Sequence, residues 1–235
     1  MVQIYRGGAV KIIDIKAQTL PDAWFQSVYA ILEHGREFQI DQGSFEKQYR
    51  LELDYITIHI KEPSLRCHDG LPLIPDMPEG LPSPCSKNYL IDYARYIMSS
   101  NKEPGEQYTY GERIEPQLSK VINLLKNTPR TNQAVIQIAQ PSDIELSDPP
   151  CLRSIDCRVQ DDMLHFYPYW RSWDCWAGMP ANLGGISILQ EYMADEIGVK
   201  QGEIIASSKG LHLYDYVVEL AKIRCKKENS ILTSA

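Results

Sequence analysis

An α/β or α+β fold in one domain is predicted for this chain by three observations. Helix-period and strand-period segments are interleaved along its 235 residues. Two neighbouring strands are joined by a two-residue turn, which rules out a regular doubly wound sheet. No internal repeat or low-complexity tract divides the sequence. Length alone allows one sizeable core or two small ones; the expectation is a single unit over residues 1–235.

The elements follow in chain order. "LPDAWFQSVYAILEHG" (20–35) sets Ala23, Val28, Ile31 and Leu32 near helical spacing and stops at Gly35, a candidate C′ glycine. "QYRLELDYITIHI" (48–60) is rich in β-branched and aromatic residues and predicts one strand or two. A Pro-rich stretch from 63 to 84, with Asp69-Gly70 and Glu79-Gly80 turns, is too long for a casual connection and reads as a lid or an insertion. "YLIDYARYIMSS" (89–100) and "QLSKVINLLKN" (117–127) are predicted helices, the second with Leu118, Val121, Ile122 and Leu125 on one face. "QAVIQIAQ" is a strand. "SIDCRVQ-DD-MLHFYPYW" (154–170) is a hairpin turning at Asp161-Asp162. "ANLGGISILQEYMADEIG" is a helix with Leu183, Ile186, Leu189, Met193 and Ile197 inward, closing on Gly198. "GEIIAS" is a strand and "YDYVVELAKIR" the last helix, with "HLY" (212–214) placed between them.

Composition narrows the function classes. A net charge of −7 opposes general nucleic-acid binding, while a local cationic pocket for a small anion stays open. No run approaches the roughly 18 apolar residues of a membrane span, and "MVQIYRGGAVKIIDIK" lacks the apolar core of a signal peptide. A cytoplasmic location is therefore expected. The six cysteines form no CxxC pair and no zinc spacing. In a reducing compartment they are free thiols, although six would also make three disulfides.

No Gly-rich phosphate loop, Walker sequence or HExxH occurs, so nucleotide hydrolysis and zinc proteolysis have no support. Polar residues gather instead where elements end. Cys151 follows Pro149-Pro150, "RSWD" (171–174) follows the hairpin, Asn182 opens a helix, and His212 and Tyr214 precede the last one. Each also has a structural explanation. Cys151 would be an inert thiol at a strand entrance and Asn182 a helix N-cap. Arg171 and Asp174 would form an ion pair across one turn, and His212 would be a satisfied buried imidazole.

Order and spacing favour the functional explanation. "DPPCLRSIDCRV", then "YWRSWDCWAGMPANLGG", then "GEIIASSKGLHLYDY" resembles the thymidylate synthase family. That family's pattern is Pro-Pro-Cys-His, Arg-Ser-x-Asp-x-x-x-Gly-x-Pro-x-Asn, and His-x-Tyr. The middle segment matches at Arg171, Ser172, Asp174, Gly178, Pro180 and Asn182, and "YTYGERIEPQLSKVINLLKNTP" is similar to the family's Tyr-Gly stretch and following helix. The likeness is firm over about 105–222. It implies the thymidylate synthase fold, a mixed sheet flanked by helices, and a homodimer packed sheet to sheet.

The resemblance implies one-carbon transfer from 5,10-methylenetetrahydrofolate, or a related methylene-pterin, to C5 of a pyrimidine nucleotide, with no metal. Cys151 would add to C6, since a thiolate is both a strong nucleophile and a good leaving group. Arg171 would favour the thiolate and bind the 5′-phosphate, with Ser172 adding a hydrogen bond. Asn182 would meet the O4/N3 edge of the base. Family members that hydroxymethylate deoxycytidylate carry aspartate there, so Asn182 favours uracil. Asp174 would hold the pterin, His212 and Tyr214 the sugar 3′-hydroxyl, and Tyr110 would assist proton removal from C5.

The chain departs from the pattern in several places. Leu152 stands where most members have histidine. Asn132 and Gln133 replace two adjacent arginines that reach the partner subunit's phosphate site, leaving Arg130 as the substitute. "FQIDQGSF" offers no phosphate-loop arginine. The family's catalytic glutamate has no clean counterpart in "YLIDYARYIM", where Asp92 is one stand-in and Tyr93 another. "KKENSILTSA" lacks the apolar C-terminus of longer members, a trimming shared with short archaeal-type relatives, which leaves a different pterin carrier open. The leading expectation is dTMP formation from dUMP. The alternatives are a 5-hydroxymethylase of dCMP, CMP or dUMP, and a nucleotide-binding homologue without turnover.

Overall fold

Strands of the hairpin lie side by side because Asp161 and Asp162 both take positive φ, 52° and 58°, the backbone of a type I′ turn. The hairpin is β6 (Leu152–Gln160) and β7 (Met163–Trp170). In this computed structural model, which describes residues 9–41 and 45–226, it forms part of a six-stranded sheet. Its other strands are β1 (Ile12–Ala17), β4 (Tyr55–Ile60), β5 (Val135–Gln137) and β9 (Lys200–Ser208), in the order β1-β4-β9-β7-β6-β5. The pairs β1/β4 and β7/β9 are parallel and the rest antiparallel, so the sheet is mixed, as expected. A second sheet of short strands runs β2 (Arg36–Gln39), β3 (Tyr49–Glu52), β10 (Leu211–Tyr214), β8 (Trp173–Asp174).

Five helices flank these sheets: α1 (Leu20–His34), α2 (Lys87–Met98), α3 (Tyr110–Asn127), α4 (Gly178–Ile197) and α5 (Asp215–Arg224). Thr19, Ser86 and Thr109 cap the first three, each side-chain oxygen accepting from a backbone N–H three residues on. Most residues of α4 from Met179 to Gln190 are buried, which marks it as the central helix. Its Gly184-Gly185 pair forms a groove for α2: an added Cβ would come within 2.4 Å of Leu90 and 2.9 Å of Tyr93. This close approach fixes which face of α2 turns inward. Among the described residues no helix is long and apolar enough to cross a membrane.

Several expectations shift. Gly35 ends α1, but in an extended conformation rather than a left-handed one; a Cβ there would strike the Ile31 carbonyl and the Leu51 side chain. The third helix begins at Tyr110, seven residues earlier than its apolar stripe suggested, and runs through Pro116. Asn182 lies inside α4 and is not its N-cap. "HLY" is itself a strand, β10, held between β3 and β8. The Pro-rich segment is tied down: Ser187 donates to the Pro63 carbonyl, and Arg66 pairs with Glu191 at 2.9 Å. The C-terminal stretch "KKENSILTSA" lies almost wholly outside the described residues, as does the centre of "FQIDQGSF".

Candidate active site

The approach to Cys151 is held by three arginines. Arg113 on α3 makes a two-pronged ion pair with the buried Asp143, at 2.7 and 2.9 Å, and fixes the short 3₁₀ turn Pro141–Glu145. Arg153 donates to the Pro150 carbonyl at 3.2 Å. Arg171, leaving β7, donates through Nε to the same carbonyl at 3.2 Å and through its terminal nitrogen to Pro149, and its backbone N–H bonds the Cys151 carbonyl at 2.8 Å. A shift of register at Leu152/Ser154 marks a bulge immediately after the thiol, a device that re-aims a side chain. The two prolines thus present Cys151 from a rigid mount.

Charge at the thiol differs from the expectation. Burial pushes Cys151 above the ordinary thiol range; Arg171 pulls it down, Asp148 pushes it up and Arg153 pulls it down again. Burial wins. Part of the Arg171 charge is spent on Asp148, 3.5 Å away. Arg171 and Asp174 do not pair with each other; Asp174 instead accepts from the backbone N–H groups of Trp176 (2.9 Å), Ala177 (3.3 Å) and Gly178 (2.9 Å), capping α4.

Tyrosines line the other side. The Tyr110 hydroxyl accepts from the Leu152 N–H at 3.2 Å. Its ring meets Tyr96 edge-on at 5.3 Å and Tyr93 at 6.5 Å. Burial raises the Tyr110 phenol far above its usual range, with Cys151 the next contributor. Tyr93 is also buried, its hydroxyl without a hydrogen-bond partner among the described residues, and Cys151 is among the groups that raise it. Asp92, by contrast, points to solvent and pairs with Arg95 at 3.4 Å. Of the two stand-ins, Tyr93 faces the site and Asp92 does not.

On the far wall, His212 and Tyr214 project from β10, their rings edge to face at 4.7 Å. His212 Nδ1 lies 2.9 Å from the Gly210 carbonyl. A carbonyl only accepts, so Nδ1 carries the proton. Burial, the chief cause, lowers the His212 pKa and keeps the ring neutral. Nε2 is then a bare, buried acceptor with no partner among the described residues, so His212 is not the satisfied imidazole of the structural explanation. Burial, Asp174 and Cys151 together push Tyr214 up to about 12, which ties this wall to the other two. Asn182 accepts from the Trp173 indole at 2.8 Å. Ser172 is half-buried beside Arg171.

Arg130 stands apart. It lines a shallow hollow of about 500 Å³ with Asn132, Arg158, Gln160 and Asp161. That is the opposite end of β6 from Cys151, roughly 25 Å away at about 3.3 Å per residue. Within one chain it is not part of the site. Sequence reasoning missed Trp173, and also Arg50 and Glu52, which face Tyr214 and His212 across the β3/β10 ladder. Only the strand character of "QYRLELDY" pointed to that region. Among the described residues no three His, Cys, Asp or Glu side chains gather as a metal site would require.

Comparison with known proteins gives the family. The family model described as thymidylate synthase matches residues 93–234. A protein of Methanosarcina barkeri named "Putative thymidylate synthase" is 30% identical over 209 residues, covering 86% of this chain and 89% of its own. One of the same name from Methanothermobacter thermautotrophicus is 29% identical, with 86% and 93% covered. A Listeria monocytogenes protein named "Thymidylate synthase" is 32% identical over 113 residues, 48% of this chain and 36% of its own.

Proposed function

Since the chain belongs to the thymidylate synthase family, we propose that it transfers a one-carbon unit to C5 of dUMP, giving dTMP, through a Cys151 adduct at C6. The observation that carries this reading is the convergence of the rigidly mounted Cys151 with Tyr110, Arg171 and Tyr214, the last of which contacts the His212 ring. A pure binding site has no need of a nucleophile held this way.

Cys151 loses its proton and its thiolate adds to C6 of uracil, which makes C5 nucleophilic. Arg171 favours the thiolate and binds the 5′-phosphate, with Ser172 beside it. The neutral His212 accepts the sugar 3′-hydroxyl at Nε2, and Tyr214 completes that contact. Tyr110 keeps its phenol proton and orients the water that takes the C5 proton. Asn182 meets O4 and N3. The single reduced pterin, 5,10-methylenetetrahydrofolate or a related methylene-pterin, supplies the methylene and then a hydride. Asp174 is suited to hold it: its carboxylate accepts three backbone N–H groups, and with about four acceptor sites it retains one for a pterin N–H. The thiolate leaves C6 at the end.

The whole chain is read as one unit that pairs as a homodimer through the uncovered face of the six-stranded sheet. Arg130, distant from Cys151 in its own chain, would then serve the partner's phosphate. The test is tritium release from C5-labelled dUMP, dCMP and CMP with methylenetetrahydrofolate. Release from dUMP with dTMP as product is expected. Release only from a cytidine nucleotide, with a hydroxymethylated product, would replace this reading by a 5-hydroxymethylase. No mass increase at Cys151 with fluorodeoxyuridylate and the folate would favour a nucleotide-binding homologue.

A further inference from the structure

The direction in which the Asn182 amide faces is set by one neighbour. An indole N–H can only donate, and Trp173 Nε1 lies 2.8 Å from Asn182 Oδ1. The amide oxygen, not the NH₂, is therefore turned to the indole. Trp173 has no room to swing away. It is 2% exposed, stacks on Trp170 with ring centroids 4.0 Å apart and planes 4° from parallel, and its backbone N–H bonds the Gly210 carbonyl at 3.1 Å. Asn182 is half-buried, and its backbone is held inside α4.

A carboxamide has a donor at one corner and an acceptor at the other. Left free, it turns by half a rotation and reverses that order. A free Asn182 would therefore suit uracil, with its O4 acceptor and N3–H donor, and equally suit cytosine, with its amino donor and bare N3. Reversal here would set the NH₂ against the indole N–H, donor against donor, and leave the indole N–H of the buried Trp173 without its acceptor. The oxygen keeps a second lone pair for the base, so the Trp173 bond restricts the amide without using it up.

We propose that Trp173 is a positioning residue for base selection, locking the Asn182 amide so that a single donor–acceptor order faces the pyrimidine edge. The lock stands on the indole geometry. Which base it favours rests on the dUMP reading above, where the order is N–H toward O4 and oxygen toward N3–H.

Calorimetric affinities for dUMP and dCMP, which share sugar and phosphate, isolate the base. Trp173→Phe should shrink the dUMP/dCMP affinity ratio at least tenfold, mainly by admitting the disfavoured nucleotide. Benzothienylalanine at position 173 keeps the bicycle and the stack on Trp170 and removes only the N–H, so it should give the same result even if the phenylalanine variant folds poorly. In an Asn182→Asp background the two carboxylate oxygens are equivalent, and Trp173→Phe should leave the ratio within twofold. A ratio unchanged within twofold on loss of the indole N–H overturns the proposal, as does an equal change in the Asn182→Asp background. If the wild type prefers dCMP, the dUMP reading fails but the same shrinkage toward equality is expected. The two ideas therefore fail separately.

Discussion

The Tyr110 hydroxyl accepts the Leu152 N–H at 3.2 Å, one residue past the Cys151 thiol. The phenol is thus tied to the backbone of the residue next to the nucleophile, and its high pKa keeps the proton on it. Tyr110→Phe removes the acceptor and leaves a buried N–H unpaired, at a cost of about 1–3 kcal/mol in urea unfolding. Loss of the water-orienting group should also slow C5 tritium release by roughly 10²-fold. Wild-type release in a variant shown to be destabilised would restrict Tyr110 to a structural role.

Tyr93 and Asp92 are adjacent in sequence and opposite in environment. The Tyr93 hydroxyl is buried without a partner among the described residues, so Tyr93→Phe removes an uncompensated desolvation cost and should leave the fold as stable or stabilise it by up to about 1 kcal/mol. The same change should lower turnover at least tenfold, because that hydroxyl is a polar atom that α2 offers to the site. Asp92→Asn breaks only a solvent-exposed pair with Arg95 and should change both quantities by less than twofold. Stability by urea titration and turnover by tritium release separate the two outcomes. The reverse pattern would restore Asp92 to the mechanism.

What was legible in the sequence, and what was not, follows from the range of the interactions. The β6/β7 hairpin was legible because Asp161-Asp162 punctuates two alternating runs, a wholly local signal. α4 was legible from its apolar spacing and its left-handed Gly198. Cys151, Arg171, Asn182, His212 and Tyr214 were singled out by the order and spacing that carry the family resemblance. The second sheet was largely missed, since its strands of two to four residues come from distant segments and carry little pattern alone. Helix period could not choose between Asp92 and Tyr93, because the packing of α2 into the Gly184-Gly185 groove makes that choice. The sign at Cys151 was also beyond the sequence: Arg171 was visible, but the burial that outweighs it was not.

Asp174 serves two ends that one pair of substitutions separates. Its carboxylate caps α4, whose cap residue Ala177 has no capping side chain of its own. Asp174→Ala should cost about 1 kcal/mol of stability through the lost cap. Asp174→Asn keeps an acceptor for the helix but loses the charge and one acceptor oxygen. It should retain most of the stability while the KM for the folate rises at least tenfold. Thermal melts and initial rates against folate concentration report the two effects. An unchanged KM in Asp174→Asn would remove the pterin contact.

The outer face of the six-stranded sheet carries Tyr167, 36% exposed on β7. A tyrosine placed there suits a sheet-to-sheet interface, having an apolar body and a polar tip. Sedimentation should give twice the 26.9 kDa chain mass, and Tyr167→Asp should move the population toward monomer. If Arg130 serves the partner's site, activity should fall with dimer content on dilution. A monomeric wild type with full activity would overturn both statements.

Cys151 gives the pH prediction. Burial raises its pKa, so the protonated form persists to higher pH than for an exposed thiol, whose pKa is about 8.5. Only the thiolate is alkylated by iodoacetamide, so the rate at Cys151 should rise with pH around a midpoint above that value. Peptide mass spectrometry distinguishes it from the other thiols. The neighbouring charges set the direction of each variant. Arg171→Gln removes a cation that favours the thiolate and should move the midpoint further up. Asp148→Asn removes an anion that opposes it, releases Arg171 from the 3.5 Å pair, and should move the midpoint down. A wild-type midpoint at or below that of an exposed thiol would mean that Arg171 outweighs burial after all.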